Sequence, residues 1–353
     1  MTSQPQIDGT QPDKRQPALG LVSTVIPVFN RPERLAEAVA SAVAQDYRPI
    51  EIVIVDDGST DVTPQAIAGL RSAHPDVIRS VRQENAGAGT ARRTGLAMAR
   101  GEFVQYLDSD DLLLPGKFAA QVGRLRERPE ADVCYGVTRR LRDGQWRAWA
   151  QTGEAIDRIV PSFFLARGWD TNCPLWRRSL YDRMPPSGGE DGMTWGRFRV
   201  LEDWEHDLRA GIAGARIARV SDEVAVVRDD AADRASGMST GFTEAIARGF
   251  AQTHASVWPL LRDRVELPWS DWEPLARKMF WIARTCGGFG LRTEAEACLR
   301  IAVEMHTLHS RRLPRSLTGF RLLRRAVGWP LATRLAERSR RTVQSSLREG
   351  SAP

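Results

Sequence analysis

From Leu21 onward the chain alternates short runs of aliphatic, mostly β-branched residues with segments whose apolar positions recur every three or four residues. Residues 22–28, 50–55, 77–82 and 103–107 have the first character; residues 32–44, 64–73 and 90–100 have the second, the last of them stopped by Gly101. This βαβα alternation predicts a mostly parallel, doubly wound sheet covered by helices on both faces. The first helix is the best signalled. Asn30 stands at its cap position with Glu33 three residues on, and Leu35, Ala38, Val39, Ala42 and Val43 form its apolar face. Beyond Asp111 a helix over 115–128 leads to a strand over 133–140 and a hairpin partner over 145–149 that turns at Asp143-Gly144, so the parallel pattern gives way to a mixed one.

After about residue 241 the periodicity is helical, with segments near 243–258, 272–285 and 293–309, the last opening with Thr293 and Glu296 in capping-box spacing. A boundary is expected between Ala235 and Gly241. The predicted organisation is a disordered tail over 1–19, an α/β domain over 20–236, a helical region over 237–310 and an arginine-rich helical tail over 311–353. A chain of 353 residues is long enough for one large domain with an appendage, or for two domains.

Composition refines this picture in three places. Hydrophobic residues at 42% and charged residues at 27% match a soluble globular chain, and no stretch approaches the roughly 20 apolar residues of a spanning helix. The first eighteen residues are polar, carry three prolines and lack the apolar core of a signal peptide, while Cys134, Cys173, Cys286 and Cys298 lie far apart with no CxxC pair. A cytoplasmic protein is the expectation. The net charge of +6 is concentrated at one end: between Arg311 and Arg348 there are eleven arginines and one acidic residue, Glu337.

In an open parallel sheet, ligands bind beyond the carboxyl ends of the strands, and this sequence places polar turn residues there three times. Pro27, Phe29 and Asn30 follow the first strand, Asp56, Asp57 and Gly58 the second, and Asp108, Ser109, Asp110 and Asp111 the fourth. Phe29 offers an aromatic face to a nucleobase, and the Asp57 carboxylate can accept from a base N–H or a ribose hydroxyl. Taken singly, a buried phenylalanine and an Asp-Asp-Gly turn would serve as well. Three aspartates in four positions repel one another unless a cation neutralises them. Mg²⁺ or Mn²⁺, held through one or two carboxylates and a donor's phosphates, is the natural cation, with Asp110, Asp108 and Asp111 as its candidate ligands. A lone DxD is ordinarily a solvated turn; this one follows a buried strand and precedes Leu112-Leu113-Leu114-Pro115.

These three stations, in this order, resemble the family 2 glycosyltransferases with the GT-A fold, and the likeness extends over about residues 22–228. The segment from Asn85 to Gly95 is similar to the family's NxGxxxARNxG stretch. There the resemblance places Asn85, Gly87 and Arg92 near the donor phosphates, with Arg93 standing where asparagine is usual. Cys173-Pro174-Leu175-Trp176 resembles the family's acceptor-side strand, and Leu201-Glu202-Asp203-Trp204 its ED motif. The resemblance implies a GT-A sheet with a mixed acceptor-side half and a C-terminal helical extension. It also implies a nucleotide-diphosphate sugar donor, with a UDP-sugar favoured, and a glycan or lipid-linked acceptor. Polysaccharide, glycolipid or cell-envelope glycan synthesis is the expected setting. Asp203 is then the base that takes the acceptor's proton, the metal neutralises the departing diphosphate, and one in-line displacement inverts the anomeric centre. Trp176, Glu202 and Trp204 fall on the acceptor side. At a helix N-terminus, Glu202 and Asp203 would also be at home for electrostatic reasons alone.

The sequence departs from related enzymes in one respect: residues 227–240 hold no histidine to serve as a third metal ligand. Arg228, Asp230 and Asp233 lie in that stretch, which reads first as a solvated loop. His206, three residues after Asp203, could tune the base, whereas His306 and His309 share a helix face without an acidic partner. Trp176, Trp195 and Trp204 could offer faces to a sugar, although tryptophan is more often core. The competing function is a nucleotide-sugar-binding or scaffold protein without turnover, carrying a basic membrane-associating tail. In the tail, Leu317, Phe320, Leu323 and Val327 recur at helical spacing among Arg315, Arg321, Arg324 and Arg325, with Pro330 as an interruption. Ordinary packing is the first expectation for that helix, an anionic membrane surface the second, and nucleic acid or another polyanion the last.

Overall fold

The computed structural model describes residues 17–142, 144–148, 156–186, 195–196, 198–228 and 243–336. It divides into two compact units, Met1–Ser239 and Thr240–Pro353. The proposed boundary at 235–241, Asp230, Asp233 and the tail beyond residue 336 lie outside the described residues, as does most of the 1–19 segment. Ala18 and Leu19 do not belong to a tail, because they open the first strand.

The first unit is built in the order β1 (Ala18–Val28), α1 (Pro32–Val43), β2 (Ile50–Asp56), α2 (Thr63–Ala73), β3 (Ile78–Arg82), α3 (Ala88–Met98), β4 (Gly101–Tyr106) and β5 (Leu112–Leu113). Next come α4 (Lys117–Glu127), β6 (Val133–Arg142), β7 (Gln145–Ala148), α5 (Ser162–Leu165), β8 (Leu175–Arg177), α6 (Glu202–Ile212) and β9 (Ile217–Arg228). One sheet runs in the order β3-β2-β1-β4-β8-β6-β9-β5, with β7 paired to β6. β3, β2, β1 and β4 are mutually parallel, whereas β8 is antiparallel to both β4 and β6, and β5 is antiparallel to β9. This is the GT-A arrangement, parallel on one side and mixed on the other. The turn predicted at Asp143-Gly144 joins β6 to β7 with Arg142 opposite Gln145; Asp143 itself is outside the described residues.

The continuous apolar run of β2 follows from burial on both faces. Ile52 and Ile54 point toward the helices that carry Leu35, Ala38, Ile67, Phe118 and Val122, while Val53 and Val55 point toward Ala91 of α3. Full burial of a side chain such as Leu35 contributes roughly 2 kcal/mol. Pro27 sits in the central strand β1 at no cost to the β4 ladder, whose last pair is Val25 with Tyr106.

Several local signals resolve differently from expectation. Asn30 does not cap α1: it adopts φ 53°, and the cap position belongs to Arg31, followed by Pro32 in the first turn. Its side chain is drawn instead to the loop after β2. Thr293 does not cap its helix either, since α9 begins one residue earlier at Arg292. Glu296 instead accepts from Trp329 Nε1 at 3.0 Å and pairs with Arg324.

The second unit comprises α7 (Glu244–Arg264), α8 (Trp269–Gly288), α9 (Arg292–Leu308) and α10 (Arg315–Val327), with residues 329–336 also helical. Thr243 does cap α7, its hydroxyl accepting from Ile246 N at 3.3 Å. The core contains Leu261, Leu275, Met279, Ile282, Cys286, Cys298, Ile301 and Met305. Leu317 and Phe320 are buried, so one face of α10 packs in the ordinary way. The break after α10 comes at Gly328, with φ 76°, and Pro330 lies in the first turn of the helix that follows.

Gly95 lets α3 approach the sheet, because a Cβ there would lie 2.3 Å from Val25 Cγ1 and 3.2 Å from Val55 Cγ2. Although alanine is the better helix former, Gly95→Ala is expected to destabilise the protein by about 1–3 kcal/mol through overpacking. Urea denaturation measures this; an unchanged or raised midpoint would show slack between α3 and β1.

Candidate active site

The parallel register brings the carboxyl ends of β1, β2 and β4 to one edge, with Val28 opposite Asp56. Phe29, 43% exposed just past β1, presents its ring to solvent rather than to the core. Asn30 is fastened to the loop after β2: its amide N–H donates to Ser59 Oγ at 3.0 Å and its Oδ1 accepts from Thr60 N at 2.7 Å. The Asp56 carboxylate accepts from Ser59 N at 2.8 Å and faces Arg82. Asp57 is occupied by the chain itself. Its oxygens accept from Ala86 N, Gly87 N and Gln83 Nε2 at 2.8–2.9 Å, which shapes the segment containing Asn85 and Gly87. Gly87 takes φ 91°, and Asn85 Oδ1 accepts from Arg199. Pro27 is buried within β1.

The aspartates after β4 separate into different roles. Asp108 and Asp110 keep side chains 31% and 21% exposed, paired respectively with Arg92 and Arg31. Asp111 turns inward, accepting from Asn172 Nδ2 at 3.1 Å and from Arg228 N at 2.9 Å, so it holds β4, β8 and β9 together and does not stand ready as a metal ligand. Ser109 is buried. Burial, and after it the charges of Asp110 and Asp108, push the Asp111 carboxyl well above the ordinary range. Asp110 is also raised, by burial first and by Asp108, against the opposing pull of Arg31. Among the described residues, no three His, Cys, Asp or Glu side chains converge to hold a metal. Asp108 and Asp110 alone still fit the one or two hard oxygen ligands that Mg²⁺ or Mn²⁺ takes beside a diphosphate.

Arg92 is engaged within the chain by two carboxylates. It is buried, with Nη1 donating to Glu202 Oε1 at 2.7 Å, Nη2 to Asp108 Oδ1, and its guanidinium 5.0 Å from the Trp195 ring centroid. It therefore ties the end of β4 to the start of α6. Leu201 just before this helix holds φ 64°, a left-handed conformation that costs an apolar residue roughly 1–2 kcal/mol. The two adjacent carboxylates then diverge. Burial and the neighbouring Asp203 charge raise Glu202 despite Arg92. Burial also opposes ionisation of Asp203, but Arg167, Arg92, the Thr171 hydroxyl and the Trp204 N–H outweigh it, and Asp203 is lowered. Its side chain is 22% exposed.

The aromatic residues are core. Trp176 is buried against Trp169 and His206, Trp195 stacks on His206 at 4.2 Å, and Trp204 donates its Nε1 to Phe163 O. No sugar can reach the faces of Trp176 and Trp204 in this arrangement, so their acceptor-side assignment is corrected to packing. His206 likewise turns from Asp203 toward this cluster and meets Asp207 Oδ1 at 3.2 Å. His306 and His309 each place Nδ1 against the carbonyl four residues back. Arg228 is not in a solvated loop: its Nε donates to the Asp110 carbonyl and its guanidinium pairs with Glu37. Arg31, Arg167, Thr171 and Asn172 belong to the site and carry no motif that marks them in the sequence.

A family profile described as Glycosyl transferase family 2 matches residues 23–204. The chain belongs to this family. An uncharacterized glycosyltransferase of Rickettsia felis is 39% identical over 117 residues, which is 33% of this chain and 19% of that protein, so the match spans far less than two thirds of the relative's length. Residues 1–349 of Staphylococcus aureus TarS, solved in complex with UDP-GlcNAc, share the fold at a TM-score of 0.66 and 20% identity over 91% of each chain. The mannosyltransferase PcManGT of Pyrobaculum calidifontis, in complex with GDP-Man and Mn²⁺, aligns at 0.50 and 18% identity, covering 94% of this chain and 90% of that one.

If Arg92 is the bridge of this glycosyltransferase, Arg92→Met leaves Asp108 and Glu202 without their counter-ion and is expected to cost about 3 kcal/mol of stability. Adding Glu202→Gln should recover part of it. Urea unfolding of the single and double variants checks both; equal losses in the two would mean that Glu202 gains nothing from Arg92.

Proposed function

We propose that this enzyme transfers a sugar from a nucleoside-diphosphate donor, a UDP-sugar in the first instance, to a hydroxyl of a glycan or lipid-linked acceptor, with inversion. The observation that carries this reading is the Glu202–Asp203 pair at the mouth of α6, tied through Arg92 to Asp108 at the donor-side strand ends. The ligands of the two structural neighbours, UDP-GlcNAc and GDP-Man, support a nucleotide-sugar donor. Phe29, exposed after β1, would stack on the base, and the backbone segment at Asn85–Gly87 is held by Asp57 after β2 at the same strand-end edge. Asp110 and Asp108 would hold a divalent cation, which supplies charge neutralisation to the departing diphosphate. Asp203, ionised and partly exposed, takes the proton of the attacking hydroxyl, and its neighbour Glu202 is pushed the other way, as expected when two carboxylates have separate tasks. A single displacement with one base inverts the anomeric centre. Polysaccharide, glycolipid or cell-envelope glycan synthesis on the cytoplasmic side fits such an enzyme.

Binding of UDP, GDP and dTDP, measured by calorimetry with and without Mn²⁺, tests the donor half. One nucleotide should bind in a Mn²⁺-dependent way and lose that dependence in Asp110→Ala; identical binding by the variant would remove Asp110 from the site. For the acceptor half, Asp203→Asn should lower transfer by about 100-fold or more, on the scale of general-base catalysis. Donor binding without turnover in the wild type would favour the binding-protein alternative.

A basic, partly apolar surface also supports a peripheral place on an anionic membrane. No described helix is long and apolar enough to cross one. Residues 311–336 hold seven arginines and no acidic residue, and Leu322, Val327 and Leu331 stand exposed among them, Leu322 at 63%. The full chain should co-sediment with vesicles containing phosphatidylserine, less so as salt rises, and Leu322→Glu with Leu331→Glu should abolish it. Equal sedimentation of the two proteins would remove the membrane reading.

A further inference from the structure

We propose that Arg167, from the loop between α5 and β8, is the positioning residue for the acceptor-side base, holding the Asp203 carboxylate aimed and charged so that only its Oδ1 is open to the acceptor hydroxyl. The inference rests on Asp203 being the base. Arg167 spans two carboxylates one turn apart on α6: Nη1 donates to Asp203 Oδ2 and Nε to Asp207 Oδ2, the latter at 2.7 Å. A planar guanidinium makes the two bonds from separate nitrogens held in a fixed fork, whereas an ammonium would have to reach both carboxylates from a single nitrogen. The far carboxylate is itself immobilised, because Asp207 Oδ2 accepts from Trp169 Nε1 at 2.9 Å and its Oδ1 faces His206. Arg167 is thus anchored at Asp207 and presents its remaining edge to Asp203.

The allocation of donors then distinguishes the two oxygens of the base. Oδ2 accepts from Arg167 and from Thr171 Oγ1 at 2.9 Å, which fills both of its lone pairs. Among the described residues Oδ1 accepts from Trp204 N alone, at 2.8 Å, which leaves it one lone pair there. In the transfer step the acceptor O–H breaks and its proton goes to Oδ1. The acceptor oxygen forms the bond to the anomeric carbon, and the bond from that carbon to the diphosphate breaks with its electron pair leaving on the diphosphate.

The charges facing Asp203 are of both signs. Arg167 and Arg92 are positive; Glu202 beside it, Asp207 one turn on and Asp170 on the Arg167 loop are negative; buried His206 is held toward its neutral form. Burial alone would raise Asp203, so its lowered value depends on the guanidinium groups. The sign follows: with Arg167 removed, Asp203 takes up its proton at a higher pH, and the acid limb of activity moves up with it.

The test uses the full chain labelled with ¹³C at aspartate carboxyls, the Asp203 signal being identified by its loss in Asp203→Asn. In the wild type this signal should titrate below the ordinary aspartate value. In Arg167→Met its midpoint should rise by about one pH unit or more, as when an opposite charge is removed from a carboxylate. Arg167→Lys, which keeps charge without the fork, should fall between. Release of UDP from UDP-GlcNAc, followed over the same pH range, should show its acid limb moving in parallel. An unmoved midpoint in folded Arg167→Met overturns the inference, because a loop staple would alter melting temperature but not the Asp203 titration. Should Arg167→Met not fold, Arg167→Lys and Thr171→Val provide the same readout with smaller shifts, and unmoved midpoints in both overturn it as well. If Asp203→Asn releases UDP as fast as wild type, the base assignment itself fails; if it is inactive while Arg167→Met leaves the acid limb in place, only the role of Arg167 fails.

Discussion

One buried guanidinium joins the two halves of the first unit. Arg92 bonds Asp108 at the end of the parallel half and Glu202 at the start of α6, residues 16 and 110 positions away, and rests on the ring of Trp195. Without it, buried Glu202 would lose its main counter-ion and Asp108 its nearest one, a condition that a buried carboxylate avoids by rearranging or by protonation. The geometry of both strand-end loop and helix mouth therefore depends on a residue that touches neither the donor nor the acceptor in the reading proposed here. The close approach of α3 to the sheet at Gly95 places Arg92 deep enough to reach both partners.

The same constraint separates Glu202 from Asp203. The two are adjacent in sequence and share the helix start, yet Glu202 has its main partner in Arg92 on the buried side and is raised, while Asp203 faces Arg167, Thr171 and partial solvent and is lowered. In the proposed mechanism it is environment, not residue type, that makes Asp203 the base. The left-handed Leu201 turns the chain sharply enough for consecutive side chains to reach opposite partners.

Much of this was legible in sequence because it is encoded locally. The alternation of apolar runs located β1 to β4, β6, β7 and α1 to α4 within a few residues, and turn chemistry at Asp57-Gly58, Asp108–Asp111 and Asn85–Gly87 located the loops of the site, whereas β5, α5 and β9 carry too short or too irregular a pattern to be read that way. Cap assignments failed where a side chain had a stronger partner elsewhere: Asn30 is taken by Thr60, and Glu296 by Trp329 and Arg324. Trp176 and Trp195 are packed against His206, and Trp204 donates to the Phe163 carbonyl. Arg31, Arg167 and Asn172 could not be found from spacing, since each acts on a carboxylate between 36 and 79 positions distant. Such pairings are set by tertiary juxtaposition, and no period of 2 or 3.6 carries them.

Each carboxylate with a task in the proposed mechanism already holds an arginine: Asp108 with Arg92, Asp110 with Arg31, Asp203 with Arg167. This pairing allows several acidic groups to remain close without collective protonation. It also makes ligand binding an exchange of partners rather than the arrival of a charge in an empty site. Were a divalent cation held by Asp110 and Asp108, it would compete with Arg31 and Arg92 for those carboxylates and would supply charge neutralisation to the diphosphate, so in the proposed mechanism metal and donor binding would be linked through these pairs.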